Sequence, residues 1–190
     1  MPQSLASVLV HLVFSTKNRE KIIPKKLQPR LWSYAAAICK NHDILAFAVG
    51  GMDDHIHILF RLPPTLTLAR AVTLVKSNSS KWIKEQGIKF SWQEGYGAFA
   101  VSSSNVSAVI NYIDNQEAHH RKISFEQEFI ALLKKHGVEF RSEIRPGLVS
   151  RPLGLENLTS RVPRASAPGL DSFAPPALAS GACLRRRAFL

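Results

Sequence analysis

The sequence predicts an α+β fold of the ferredoxin-like kind: an antiparallel sheet in the order βαββαβ with helices on one face, followed by C-terminal helices. Three observations carry that expectation. Over residues 1–140, short runs rich in β-branched and aromatic residues alternate with longer segments of helical periodicity. Two of the strand-like runs are separated by only a short turn, as an antiparallel hairpin requires. With 190 residues, 45% of them hydrophobic and 21% charged, the chain can bury one sizeable core and leaves little for a second.

The elements follow in order. "SVLVHLVFST" reads as the first strand. "LQPRLWSYAAAICKNHD" places Leu31, Tyr34, Ala35 and Ile38 at helical spacing, with Tyr34 in the apolar stripe. "ILAFAVGG" and "DHIHILFRL" are strands joined by a Gly-Gly-Met-Asp-Asp turn. "TLTLARAVTLVKSNSSKWIKEQG" is a second helix, capped by Thr65 or Thr67. "GYGAFAVS" gives the fourth strand. "SNVSAVINYIDNQEAHHRK" gives a third helix, capped by Ser104 or Asn105. "SFEQEFIALLKKHG" gives a fourth, with Ser124 and Gln127 spaced as a capping box and Gly137 as its stop.

The composition changes at residue 140. Residues 1–140 carry 17 Lys+Arg against 11 Asp+Glu, whereas 141–190 carry eight basic residues, all Arg, against three acidic ones, and six of the eleven prolines. The tail lacks sustained periodicity and reads as an Arg/Pro-rich disordered extension, dispensable for chemistry. Its terminal "RRRAFL" is a solvated cluster more readily than a nucleic-acid contact. Two cysteines, Cys39 and Cys183, make neither a disulfide framework nor a zinc motif. No basic start precedes the short apolar run near the N-terminus, and no run approaches a membrane span. Together these point to the cytoplasm. The net charge of +11 points to a polyanionic partner, nucleic acid before an anionic membrane.

The chemistry concentrates in two places. His55 and His57, two apart in a strand, project to one face, opposite Ile56 and Ile58. Paired imidazoles are natural ligands for a divalent cation. An arbitrary His-x-His is more often a packed histidine beside an incidental one, but Asp53 and Asp54 stand ready to orient an imidazole. In the third helix, Tyr112 and Gln116 are four apart and share a face. Tyrosine, with an ordinary pKa of about 10, is a weak nucleophile at neutral pH unless a nearby cation assists. The Gln116 carbonyl oxygen completes a two-nitrogen, one-oxygen ligand set. Singly, Tyr112 reads as a core-edge residue and Gln116 as a solvated one. Their combination with the histidine pair is what singles them out.

These residues resemble the single-tyrosine HUH (His-hydrophobic-His) transposases of small bacterial insertion sequences, related to IS200. The likeness runs through "HLVFSTKNRE", "GGMDDHIHILFRLPPTLTLA", "KSNSSKWI", "WQEGYGAFAVS" and "YIDNQEAHHRKISFEQEFIALLKKHGVEF". It implies His55, His57 and Gln116 as ligands of Mg²⁺ or Mn²⁺, and Tyr112 as nucleophile. The implied reaction cleaves and rejoins single-stranded DNA at hairpin-marked ends through a 5′-phosphotyrosine link. It further implies a homodimer, often with the tyrosine helix of one subunit completing the metal site of the other. The long tail departs from the family pattern. A silent, hairpin-binding regulator derived from such an enzyme is the alternative.

Other candidates are weaker. Lys17, Arg19 and Lys21 after the first strand are the best hairpin contacts. Lys76, Lys81 and Trp82 offer phosphate contact and base stacking, or equally a solvated helix face with a buried Trp. His119 or His120 could approach the metal or a phosphate, but with Arg121 and Lys122 they read more readily as a solvated, cationic helix end, Arg121 and Lys122 being further DNA contacts. Tyr96 sits between glycines near the site. His11 reads as a hydrogen-bonded core histidine rather than a ligand.

Overall fold

A computed structural model describes residues 6–140; the tail expectation lies outside the described residues. The chain runs β1 (Val8–Ser15), α1 (Gln28–Asn41), β2 (Leu45–Gly51), β3 (His55–Leu62), α2 (Leu68–Glu85), β4 (Gly97–Val101), α3 (Val106–Asp114), α4 (Gln116–His120) and α5 (Phe125–Lys135). Four strands form one sheet in the order β2-β3-β1-β4, every neighbour antiparallel. That is the order expected of βαββαβ connectivity. Among the described residues, no helix is long and apolar enough to cross a membrane.

Strand alternation divides the sheet into two faces. Val10, Leu12 and Phe14 of β1 join Ile56, Ile58 and Phe60 of β3 in the main core, against Leu31, Ala35 and Ile38 of α1 and Ala71, Val72, Val75 and Ile83 of α2. The intervening residues face the other way. There Val13 and Phe99 meet Phe125, Phe129 and Leu133 of α5 in a smaller core. The ferredoxin-like helices thus cover one face, and the C-terminal helices cover the other.

The capping signals act as their chemistry requires. The Thr67 hydroxyl accepts the Arg70 N–H at 3.2 Å at the start of α2. Ser124 and Gln127 cap α5 reciprocally, Gln127 N–H to Ser124 Oγ at 3.3 Å and Ser124 N–H to Gln127 Oε1 at 3.0 Å. Gly137 takes φ 64°, and the Gly137 and Val138 N–H groups close α5 on the carbonyls of Lys134 and Leu133. Asn105 precedes α3 without a side-chain cap.

Two expectations change. The single helix expected through residues 104–122 is broken at Asn115, whose amide donates to the Asn111 carbonyl at 2.7 Å and so competes with the helical ladder. Tyr34 is only half buried and stacks on Trp82, ring centroids 5.1 Å apart. Within the core, the Trp92 indole donates to buried Ser79 at 2.9 Å, satisfying the one hydroxyl that α2 turns inward.

Candidate metal and tyrosine site

The site starts on β3. His55 and His57 are fully buried and point to the α5 side of the sheet. Each is held from behind through Nδ1. His55 Nδ1 donates to Asp54 Oδ1 at 2.6 Å, and His57 Nδ1 pairs with His11 Nε2 of β1 at 3.0 Å. Asp54 also takes the Arg19 guanidinium at 3.2 Å. Burial pushes the Asp54 carboxyl up, but the His55 hydrogen bond and Arg19 more than offset this and lower it. Burial lowers the His57 pKa to about 4 and that of His11 to about 3, so both stay neutral.

The tyrosine reaches this face because Gly50 has no side chain. A Cβ there would sit 2.7 Å from the Ile113 carbonyl, so the gap lets α3 lie against β2. Tyr112 then stands edge-on over His57 and His11, at centroid distances of 5.8 and 6.0 Å. Across the break at Asn115, Gln116 still donates its amide to the Tyr112 carbonyl at 3.3 Å. The same amide donates to Glu128 Oε1 at 3.2 Å. Its carbonyl oxygen therefore faces His55 Nε2 at 3.3 Å and His120 Nε2 at 3.0 Å.

Glu128 of α5 is the hub. It accepts the Tyr112 hydroxyl on Oε1. His57 Nε2 and His119 Nε2 lie 3.6 and 3.5 Å from Oε1, while His120 Nε2 lies 3.2 Å from Oε2. Burial favours a neutral Glu128, but the His120 and His57 rings beside it win and hold it well below the usual carboxylate range. Burial and the bond to this carboxylate raise the Tyr112 hydroxyl above its ordinary value, so it stands as a protonated donor. Burial alone would lower His120, but Glu128 more than compensates and raises it.

His55, His57, His120 and Glu128 offer ligand atoms all within 4.8 Å of one another. Two of those atoms, His57 Nε2 and Glu128 Oε2, are buried with no hydrogen-bond partner. Buried polar atoms without partners are costly, and a shared cation would satisfy this donor set. The residues fit a divalent metal ion.

The structure thus gathers His55, His57, Tyr112 and Gln116 in one chain. Glu128 escaped sequence reasoning, although a carboxylate between Phe125 and Phe129, on the apolar stripe of α5, was the available signal. His120 departs from the expected solvated helix end: its side chain is 9% exposed and turns inward. Among the basic candidates, Lys17, Lys21, Lys81, Arg121 and Lys122 are exposed. Arg19 is committed to Asp54 and lies over the Phe125 ring. Lys76 is not available to a phosphate: its ammonium caps the carbonyls of Gln93, Glu94 and Gly95, and burial lowers its pKa to about 8. Trp82 is stacked between Tyr34 and the Arg30 guanidinium rather than offered to a base. Tyr96 is exposed.

The family described as "Transposase IS200 like" matches residues 4–116. The transposases for insertion sequence element IS200 of Salmonella typhimurium and Salmonella typhi are each 25% identical over 114 residues, covering 56% of this chain and 74% of theirs. A solved REP-associated tyrosine transposase bound to a REP hairpin is 12% identical, with a TM-score of 0.49, covering 80% of this chain and 98% of that one. The match extends from β1 through the paired histidines to Tyr112 and Gln116, and the chain belongs to the IS200-like transposase family.

Proposed function

We propose that this transposase cleaves and rejoins single-stranded DNA at hairpin-marked element ends, with Tyr112 as nucleophile and His55, His57 and Gln116 as ligands of Mg²⁺ or Mn²⁺. The observation that carries this reading is the convergence of Tyr112 and both strand histidines on one buried carboxylate, Glu128. Tyr112 Oη attacks the scissile phosphorus while its proton passes to Glu128 Oε1. The bond from phosphorus to the 3′ oxygen breaks, and that oxygen leaves as a hydroxyl, taking its proton from solvent. A 5′-phosphotyrosine results. An incoming 3′-hydroxyl reverses the step and returns the proton to Tyr112. One phosphodiester replaces another, so positioning suffices without an external energy source. A divalent cation held here would neutralise charge on the phosphate oxygens.

His11 and Asp54 hold the histidine rings in place, and Gly50 seats the tyrosine helix. Exposed Lys17, Lys21, Lys81, Arg121 and Lys122 supply phosphate contacts to the DNA. The chain works as a homodimer in which each subunit carries its own complete site.

The test is incubation of the full chain with hairpin-bearing single-stranded DNA and Mn²⁺, followed by denaturing electrophoresis. A covalent protein–DNA adduct is expected from the wild type and none from Tyr112→Phe. An adduct of wild-type yield from Tyr112→Phe sinks the nucleophile assignment. Mixing Tyr112→Phe with His57→Ala separates the assembly modes: restored activity would mean that subunits exchange tyrosines, and none is expected.

A further inference from the structure

We propose that His120 and Glu128 are metal ligands beside His55, His57 and Gln116, forming a centre of three imidazoles and a carboxylate that selects a first-row transition ion over Mg²⁺. This rests on the reading that a divalent cation works at the strand histidines.

Acceptors outnumber donors where these side chains meet. His120 Nδ1 lies 3.0 Å from the Ile123 carbonyl, which can only accept, so the ring proton sits on Nδ1. His55 Nδ1 likewise donates to the Asp54 carboxylate. In the neutral rings both Nε2 atoms therefore carry lone pairs, and they face each other at 3.1 Å. The Gln116 carbonyl oxygen adds a third acceptor, 3.3 and 3.0 Å from them, because its amide nitrogen is committed to Tyr112 and Glu128. His57 is engaged through Nδ1 by His11, and its Nε2 has no partner. Glu128 Oε2 has none either.

Acceptors that face one another with no proton between them repel; a shared cation turns that repulsion into attraction. All three imidazoles show the same arrangement, Nδ1 tied outward and Nε2 aimed inward, which is how ligating histidines are oriented. Donors about 2.0–2.2 Å from one ion lie no more than about 4.4 Å apart. The observed spread of 4.8 Å is within a few tenths of an ångström of that limit. Three imidazoles suit transition ions, whereas Mg²⁺ prefers carboxylate, carbonyl and water. Glu128 would also join the ion to the nucleophile, since its other oxygen already holds the Tyr112 hydroxyl.

The experiment is calorimetric titration of the metal-stripped full chain with Mn²⁺ and with Mg²⁺. Electron spin-echo spectroscopy of bound Mn²⁺ then counts the coordinated nitrogens. The wild type is expected to favour Mn²⁺ by about a hundredfold and to show three imidazole nitrogens. His120→Gln should show two. Glu128→Gln, nearly identical in shape, should weaken Mn²⁺ binding by about a hundredfold. Melting curves of the metal-free variants establish that each is folded. Two nitrogens in the wild type, or wild-type affinity in folded Glu128→Gln, overturns the proposal. If His57→Ala alone loses binding, the strand histidines stand as ligands and the added pair falls. If His57→Ala binds as the wild type does, both readings fall.

Discussion

The two faces of the sheet are cut from the same strands, one residue out of step. On β3, Ile56, Ile58 and Phe60 enter a large apolar core under α1 and α2, while His55 and His57 enter a polar cluster under α3, α4 and α5. On β1, Leu12 and Phe14 take the first side, and His11 and Val13 the second. The apolar face excludes water and leaves hardly a polar atom to satisfy. The other face holds a smaller apolar cluster and spends much of its interior on imidazoles, an amide and a carboxylate that must satisfy one another. Stability and chemistry are therefore separated by the parity of a strand rather than by distance along the chain.

Substitutions on each face should fail differently. Tyr112→Phe should remove the covalent DNA adduct entirely, a loss of about a thousandfold or more, with the fold intact. Denaturing gels and circular dichroism read the two halves of that expectation. On the apolar face, Ile58→Ala should cost about 2–5 kcal/mol through transfer and cavity terms, seen as a lower urea midpoint. That loss should be the same at every pH.

Acid should strike the polar face instead. His57 and His11 are neutral when folded, and their folded pKa values, about 4 and about 3, lie below the ordinary 6.5. The unfolded chain binds protons first, so stability is full above about pH 6.5 and falls as the pH drops. By pH 5 the loss for the metal-free protein is about 2 kcal/mol for each histidine. His120, raised by Glu128, offsets part of it. Urea unfolding at pH 7 and pH 5 measures the slope; a pH-independent midpoint would remove the electrostatic half of the contrast. The smallest effect should come from Ser124→Ala, about 1 kcal/mol from the lost cap of α5, visible as faster hydrogen exchange in α5 than in α2.

Much of this was legible in the sequence because it is local. Strand alternation, the Gly-Gly turn, the Thr67 cap and the Ser124–Gln127 box each depend on residues within a few positions. The four-residue spacing of Tyr112 and Gln116 also survives as a direct contact. What stayed hidden depends on what the chain brings from afar. Glu128 is one acidic residue on an amphipathic helix until α5 docks. His120 is a surface charge until Glu128 faces it. Lys76 looks free until the loop at residues 93–95 folds its carbonyls over it. Asn115 breaks the helix expected through residues 104–122, because its side chain bonds back to Asn111.

That break has a consequence for how such a chain decays. Each helical residue turns its successor by about 100°. Inserting or deleting one residue between Tyr112 and Gln116 would swing one of them away from the histidines while leaving every residue type of the site in the sequence. A composition or motif count would still find all of them. The element could fall silent through length alone, and spacing, not content, is where its loss would be written.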